Sequence, residues 1–379
     1  MPKVSVKKFF AEQTAHSRVK AQIVRNYVLA WAAIVLNPRY NSKREAAYVD
    51  LFSGPGTYDD GARSTPLLVT EQVLQRTQLR EGLRMFFNDA VPSLTNSLRQ
   101  EIQGLQGIGA LRHEPSYTNQ PASISLIDSF RLPREVSQFY FLDQFGWAEI
   151  TPALVRHIFL AQKCDCAFFL RTPRVIAAIS NPNTETAVTS LFGINGLNEV
   201  REAFKLRPRE KEKIILEKLK TTMKAAGAPY FLPFPFRVCD VNSSRQHLIY
   251  LGKHPKGFEV MKDIMATKSS LQYAGVPVLG HTEGPEQWDL FSADPILALQ
   301  EQLMQVFSGR GLNVGEVFSE HHVTNECYIL RNYQEALRRL ETSGAILVDP
   351  PAAERPKRCG IVTMSEDVRL TFQSKAARE

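Results

Sequence analysis

Cysteine is scarce in this sequence. Its five thiols, Cys164, Cys166, Cys239, Cys327 and Cys359, are odd in number and scattered over 379 residues. They make no disulfide framework, and a reducing cytoplasm is where such thiols need no partners. Only "CDC", Cys164 to Cys166, resembles half a metal site; no second pair or nearby histidine completes it, so no metal is expected. Long apolar runs are also missing. The longest uncharged one, "YVLAWAAIVL" at 27–36, is about half of what a bilayer requires, so no membrane span is expected. The opening "MPKVSVKKFF" lacks the apolar stretch of a signal peptide. Two signatures of catalysis are absent as well: no phosphate loop ending in Gly-Lys-Ser/Thr, and no G-x-S-x-G elbow.

An acidic excess is lacking too. Lys and Arg number 46 against 39 Asp and Glu, a net +7, which favours acidic partners such as nucleic acid. The balance is uneven. From Pro285 onward there are 10 basic and 14 acidic residues, a net −4, and the rest of the chain is a net +11. With 44% hydrophobic and 22% charged residues, the composition is that of a globular chain long enough for two or three domains.

What is present is an alternation. "SRVKAQIVRNYVLAWAAIVL" repeats apolar residues at helical spacing (Val19, Ile23, Val24, Tyr27, Trp31, Ile34, Val35). Short apolar runs follow at 46–52, 83–89, 109–114, 138–145 and 166–171, separated by helix-like segments. Strands without polar alternation predict a parallel sheet covered on both faces, a doubly wound α/β domain. "FPFRVCDV" and "RQHLIYLGKH" flank "NSS" as an antiparallel hairpin, the edge arrangement of a Rossmann-like methyltransferase sheet. A charged helical insertion is expected at about 181–232, and "KGFEVMKDIMA" closes a first domain over 1–270. Residues 271–287 read as a linker, and 288–379 as helix, helix, helix and hairpin, the order of a winged helix.

The stretch that points to chemistry is "AAYVDLFSGPG", 46–56. Gly54 and Gly56 would lie at the carboxyl end of the first strand, where ligands of open α/β sheets sit. Pro55 removes one N–H, and no Lys follows, which disfavours phosphate cradling. D-L-F-x-G-x-G, here Asp50, Phe52, Gly54 and Gly56, resembles the first motif of S-adenosylmethionine (SAM) dependent methyltransferases, where the glycines admit the cofactor's methionine part. A plain strand–turn–helix is the alternative. "FFNDA" ends the second strand in Asp89, either a ribose ligand or a helix N-cap. "FLDQFGW" ends the fourth. There amino-methylating enzymes carry D/N-P-P-Y/F/W to hold the target nitrogen, and Asp143 and Phe145 fit that outline while Gln144 breaks it. The same first motif serves cytosine C5 methylation, but that needs a Pro-Cys nucleophile, and no cysteine here follows a proline.

Five blocks together, "VKAQIVRNYVLAW", "YVDLFSGPGTYDDGARSTPLL", "FLDQFGW", "GKHPKGFEVMKDIM" and "NYQEALRRLETSGAI", resemble the three-Cys-motif partner family. The resemblance implies a Rossmann-like methyltransferase domain followed by a winged helix, a bacterial origin and a radical-SAM-like partner protein with three cysteines. It implies no known reaction. The family's fourth-strand motif looks like L-D-P-[FY]-G, so Gln144 departs from it. Lys20, Arg63, Lys253, His254 and Lys256 fall in matching blocks; Lys20 reads as lying on the polar side of its helix, and Lys253, His254 and Lys256 as a basic group beside the substrate mouth.

In the winged helix, "RNYQEALRRLE" would be the recognition helix, presenting Arg331, Asn332, Arg338 and Arg339 to a groove, with Lys357 and Arg358 in the wing on phosphate. The net −4 of this region equally fits docking to the partner protein. The reading is thus a cytoplasmic SAM-dependent methyltransferase-like protein acting on or with nucleic acid. Its alternative is an inactive adaptor of the same fold. A nuclease or hydrolase is disfavoured for want of a metal-carboxylate cluster.

Overall fold

The structure, a computed structural model, describes residues 12–39, 45–144, 146–238, 246–273, 276–283, 294–325 and 328–373. The chain divides into two compact units, Met1–Lys268 with His281–Gly284, and Ser269–Gly280 with Pro285–Glu379.

The first unit is built on one sheet. Its strands are β1 (Ala46–Asp50), β2 (Leu83–Asn88), β3 (Ser116–Thr118), β4 (Ser137–Leu142), β5 (Cys164–Leu170), β6 (Tyr230–Val238) and β7 (Gln246–Gly252). β8 (Leu271–Tyr273) and β9 (Val276–Val278) pair in the second unit, and β10 (His281–Glu283) returns to the edge of the sheet. The order is β10-β6-β7-β5-β4-β1-β2-β3, with β7 alone antiparallel to its neighbours. Parallel strands and a terminal β6–β7 hairpin make this the Rossmann-like, methyltransferase-type sheet expected from the sequence. The turn of that hairpin, with Asn242 to Ser244, lies outside the described residues.

Every residue of β1 and β4 is buried, because helices cover both faces. The helices are α1 (Ala15–Val35), α2 (Thr65–Leu74), α3 (Thr77–Gly82), α4 (Pro92–Gln103), α5 (Ile124–Ser129) and α6 (Pro152–Ile158). They continue as α7 (Thr172–Ile179), α8 (Glu185–Leu206), α9 (Lys211–Ala225) and α10 (Pro255–Lys268). Ala47, Val49 and Leu51 share one core with α5 to α9, while Tyr27 and Trp31 of α1 pack with tilted rings against Phe139 of the other face, 5.1 and 6.0 Å between ring centroids. α8 and α9 are the helical insertion, α8 kinking at Gly193. Cys164 and Cys166 are buried on one face of β5 in the apolar core.

Two expectations fail. The third strand is not 109–114. Residues Ile108–Ala110 form a 3-10 turn after a left-handed Gly107, and only Ser116–Thr118 meets β2, opposite Phe86 to Asn88. Nor do Lys253, His254 and Lys256 stand beside a mouth at the carboxyl edge. β7 runs backwards, its Gly252 opposite Asp165 at the start of β5, so this group lies at the amino edge of the sheet. There Lys253 donates to Ala161 O at 2.7 Å, and His254 Nδ1 accepts the Lys256 N–H at 3.1 Å.

The same edge encloses a buried carboxylate. Asp165 accepts from Tyr27 Oη at 2.8 Å and from Tyr250 Oη at 3.0 Å. A Cβ on Gly257 would stand 2.5 Å from Tyr250 Oη, so α10 approaches this cluster only through glycine.

The second unit holds α11 (Pro295–Val306), β11 (Gly311–Asn313), α12 (Val314–His321), α13 (Leu330–Thr342), β12 (Ile346–Asp349), β13 (Lys357–Arg358), β14 (Ile361–Val362) and β15 (Arg369–Phe372). The antiparallel order β11-β15-β12 and the separate β13–β14 ribbon make it a winged helix. Asn313 and Glu316 form a reciprocal cap that starts α12. No helix among the described residues is long and apolar enough to cross a membrane.

Burial raises Asp165 to about 6 from the ordinary 3.8, against the pull of its two tyrosine hydrogen bonds. A carboxyl raised on folding stabilises the native state below its unfolded pKa and loses that contribution as pH rises through about 6. Between pH 4 and 7 Asp165 should therefore cost about 3 kcal/mol of stability. Asp165→Asn should flatten that slope in urea denaturation series across the range; a slope equal to wild type would refute the assignment.

Candidate functional site

Three strand tips and one helix converge at the carboxyl edge of the first unit. A cleft there is lined by Phe52, Ser53 and Gly54 after β1, by Asp89 to Val91 after β2, and by Phe141 of β4 and Asp143 just after it. Gln13 and α1 residues Ser17, Lys20 and Ala21 form its other wall. The register brings the tips together, since Asp50 lies opposite Phe87 on one side and Phe141 on the other.

The two glycines of the turn have different duties. Both are left-handed, Gly54 at φ 65° and Gly56 at φ 94°. A Cβ on Gly56 would fall 3.2 Å from Leu98 Cδ1 and 3.3 Å from Leu98 Cα, so this glycine lets the turn pack on α4. Gly54 is the one that lines the cleft.

Asp89 is not the N-cap of α4, a place taken by Val91 without a side-chain cap. Its Oδ1 accepts the Val91 N–H at 2.9 Å, just ahead of α4, and its Oδ2 accepts the Gly54 N–H at 3.1 Å. Half-buried and facing the cleft, it keeps lone pairs for a ligand while tying the β1 turn to β2. Burial raises its pKa, opposed by those two N–H groups. Beside it Asn88, which sequence reasoning missed, satisfies its whole amide. It donates to Leu51 O and Gln120 O, and accepts from Thr118 Oγ1 and the Gln120 N–H, at 2.9–3.1 Å.

Asp50 is 1% exposed. It accepts from the Phe52 N–H and from Tyr48 Oη, both at 3.1 Å. Burial pushes its carboxyl up to about 8; the Phe52 N–H pulls it down and the nearby Asp143 charge adds to the rise. At neutral pH Asp50 is thus mostly protonated, and its first duty is to brace the turn.

The fourth-strand acid has a partner that the sequence reading put in the wrong place. Lys20 is 3% exposed, not solvated, and its ammonium pairs with the Asp143 carboxylate. The signal was there: Lys20 precedes Ile23, Val24 and Tyr27 by three, four and seven residues, the spacing of the buried face. Its Nζ also lies 4.5 Å from the centre of the Phe169 ring. Phe145 lies outside the described residues. Arg63 ion-pairs with Glu71 of α2.

The winged-helix residues sort differently from expectation. Asn332 is buried and its Oδ1 accepts the Ile329 N–H at 3.0 Å, capping α13 rather than reaching outward. Arg338 donates to Glu335, and Arg339 to Glu335 and Asp294. Arg331 is exposed on α13, and Lys357 and Arg358 are exposed on the wing.

Residues 281–353 match the family described as the GMT-like wHTH domain. Among solved structures the chain is similar to the METTL16 methyltransferase domain, at 10% identity and a TM-score of 0.30, over 60% of this chain and 66% of that one. It is similar to the bifunctional kinase-methyltransferase WbdD, at 9% and 0.35, over 65% of this chain and 40% of that one. A third is magnesium protoporphyrin IX methyltransferase (ChlM) from Synechocystis PCC 6803 with bound SAM, at 10% and 0.30, over 67% of this chain and 100% of that one. The chain thus spans less than two thirds of the first two. No curated protein matches the sequence.

Removing one member of a buried ion pair strands the other. Lys20→Met should lower stability by about 3 kcal/mol in urea denaturation. Adding Asp143→Leu should recover at least about 1 kcal/mol of that loss, because no charge is left behind. Strictly additive losses would mean that the two side chains do not interact.

Proposed function

We propose that the first unit is a SAM-dependent methyltransferase acting on an amine of a nucleic acid. The observation that carries the reading is the single cleft joining the Phe52–Gly54 turn, Asp89 and Asp143 at one sheet edge. The residues fit the group. Gly54 offers a wall without a side chain, the Asp89 carboxylate is of the kind that holds a ribose diol, and Asp50 braces the turn that shapes the site. Bound SAM would supply an electrophilic methyl group. Asp143, held by Lys20, would accept an N–H of the acceptor and keep its nitrogen lone pair oriented. A base within a duplex would have to leave the stack to reach such a cleft.

Support for nucleic acid is electrostatic: the chain before Pro285 carries the net +11. The second unit, net acidic, is read as the docking module. The resemblance to three-Cys-motif partner proteins extends this to a partner bearing three cysteines, met by the winged helix.

Isothermal titration of the full chain with SAM and with S-adenosylhomocysteine is the test. Micromolar binding of either is expected, and Gly54→Val should abolish it while circular dichroism stays unchanged. Binding that survives in Gly54→Val would displace the cofactor from this turn. A folded wild type that binds neither compound would leave the inactive adaptor as the better reading.

A further inference from the structure

The N-terminus of α2 opens on the cleft. Ser64, Thr65 and Pro66 line it, and Ser64 is the N-cap residue of this 10-residue helix. A serine in that place ordinarily accepts an N–H of the first turn. Here it makes no capping bond, and its Oγ meets no hydrogen-bond partner among the described residues. Ser64 is 7% exposed, and buried hydroxyls are as a rule paired. Pro66 has no N–H, so the open cap leaves the Thr65 and Leu67 N–H groups without an intrahelical acceptor.

Elsewhere in the cleft the donors are already engaged. The Phe52 N–H is taken by Asp50, the Ser53 N–H by Asn88 O, and the Gly54 and Val91 N–H groups by Asp89. Lys20 pairs with Asp143, and Arg63 with Glu71. Carboxyl groups at Asp50, Asp89, Asp143 and Glu149 line much of the remainder. An anionic group of a ligand therefore finds its donors at the end of α2 and not in the glycine turn.

We propose that the open N-terminus of α2 holds the α-carboxylate of the amino-acid end of SAM. Ser64 Oγ, one rotation about Cα–Cβ from any of its rotamers, donates to it beside the Thr65 and Leu67 N–H groups. A helix N-terminus favours an anion, and a hydrogen bond to a charged oxygen is stronger than one between neutral groups. The cofactor then lies with its ribose at Asp89 and its amino-acid end at Ser64. The turn after β1 is tied to both residues, by the Gly54 N–H on Asp89 at 3.1 Å and by the Ser64 N–H on Gly56 O at 2.7 Å. Ser64 is thus a specificity-determining residue, selecting a cofactor whose carboxylate is intact. This rests on the reading of the cleft as a SAM site.

Isothermal titration of the full chain with SAM, decarboxylated SAM and methylthioadenosine, which lacks the whole amino-acid end, tests it. Wild type should bind SAM at least about 10-fold tighter than decarboxylated SAM. The carboxyl groups of the cleft favour the more cationic decarboxylated compound, so that preference needs donors set for a carboxylate. Ser64→Ala should weaken SAM at least about fivefold and leave the other two within about twofold. Its Tm without ligand should not fall, since no hydrogen bond is lost. Ser64→Asp sets a carboxylate where the ligand's would lie. It should cap α2, raise the Tm without ligand and reverse the preference toward decarboxylated SAM. Equal affinity of wild type for SAM and decarboxylated SAM, or a preference unchanged in either variant, overturns the proposal and leaves the cofactor reading standing. A wild type that binds none of the three, methylthioadenosine included, sinks both.

Discussion

The first unit depends on the two-sided pairing of β1. Its five residues are all buried and each is matched to β2 and to β4 in register. A strand so placed has no freedom to slip, because a one-residue shift would turn Tyr48 and Asp50 to the face that takes Ala47, Val49 and Leu51. Because the three strands are parallel and end nearly level, the segments that leave them must share one small space. The turn at Phe52–Gly54, Asp89 and Asp143 meet for that reason alone. α1 then closes the space from the side, and the same face that buries Tyr27 and Trp31 against the sheet delivers Lys20 to Asp143.

The cleft gathers four carboxyl groups, Asp50, Asp89, Asp143 and Glu149, against the ammonium of Lys20. Four full negative charges in a half-closed space would repel one another. The structure divides the burden among them. Asp50, wholly buried, gives up its charge near neutral pH, with a pKa of about 8. Asp89 is stabilised by two backbone N–H groups, and Asp143 by Lys20. With Glu149 also in the lining, what remains is close to two net negative charges, two of the carboxylates facing a ligand being Asp89 and Asp143, differently held. A ligand with hydroxyl or cationic donors suits that field; one with a phosphate does not. This is a reason, independent of the missing phosphate loop, to place a nucleoside rather than a nucleotide end of a ligand at Asp89.

The sheet was legible because buried parallel strands advertise themselves as unbroken apolar runs, as "YVDLF" and "FYFLD" do. The third strand was not, because three residues at a sheet edge carry no period, and Gly107 and Gly109 give its neighbourhood the look of any turn. Asp50, Gly54, Asp89 and Asp143 were legible from their place after strands, but their roles were not. Whether Gly56 faces a ligand or Leu98 is settled by a helix 42 residues on, and the sequence records no such distance. Lys20 was misplaced because charge was weighed above spacing. A lysine on an apolar stripe is a sign of an acid brought to it from elsewhere, and the half-buried Asp143 is that acid. The basic group after β7 was misplaced by strand direction, which no local pattern shows.

The second unit's charges narrow what its surface can offer. Arg338 and Arg339 are engaged by Glu335 and Asp294, and Asn332 is spent on capping α13. Arg355 is buried and paired with Glu341. Among the described residues the positive groups left outward include Arg331 on the helix, Lys357 and Arg358 on the wing and Arg369 on β15. Arg338 or Arg339 could reach a base edge only by leaving its acid, so each new hydrogen bond to a base would break an existing ion pair. Phosphate binding by the wing needs no such exchange, but phosphate contacts fix position without reading sequence. Among the described residues Arg331 is the arginine of α13 without an acidic partner, so base reading by this helix would fall to it.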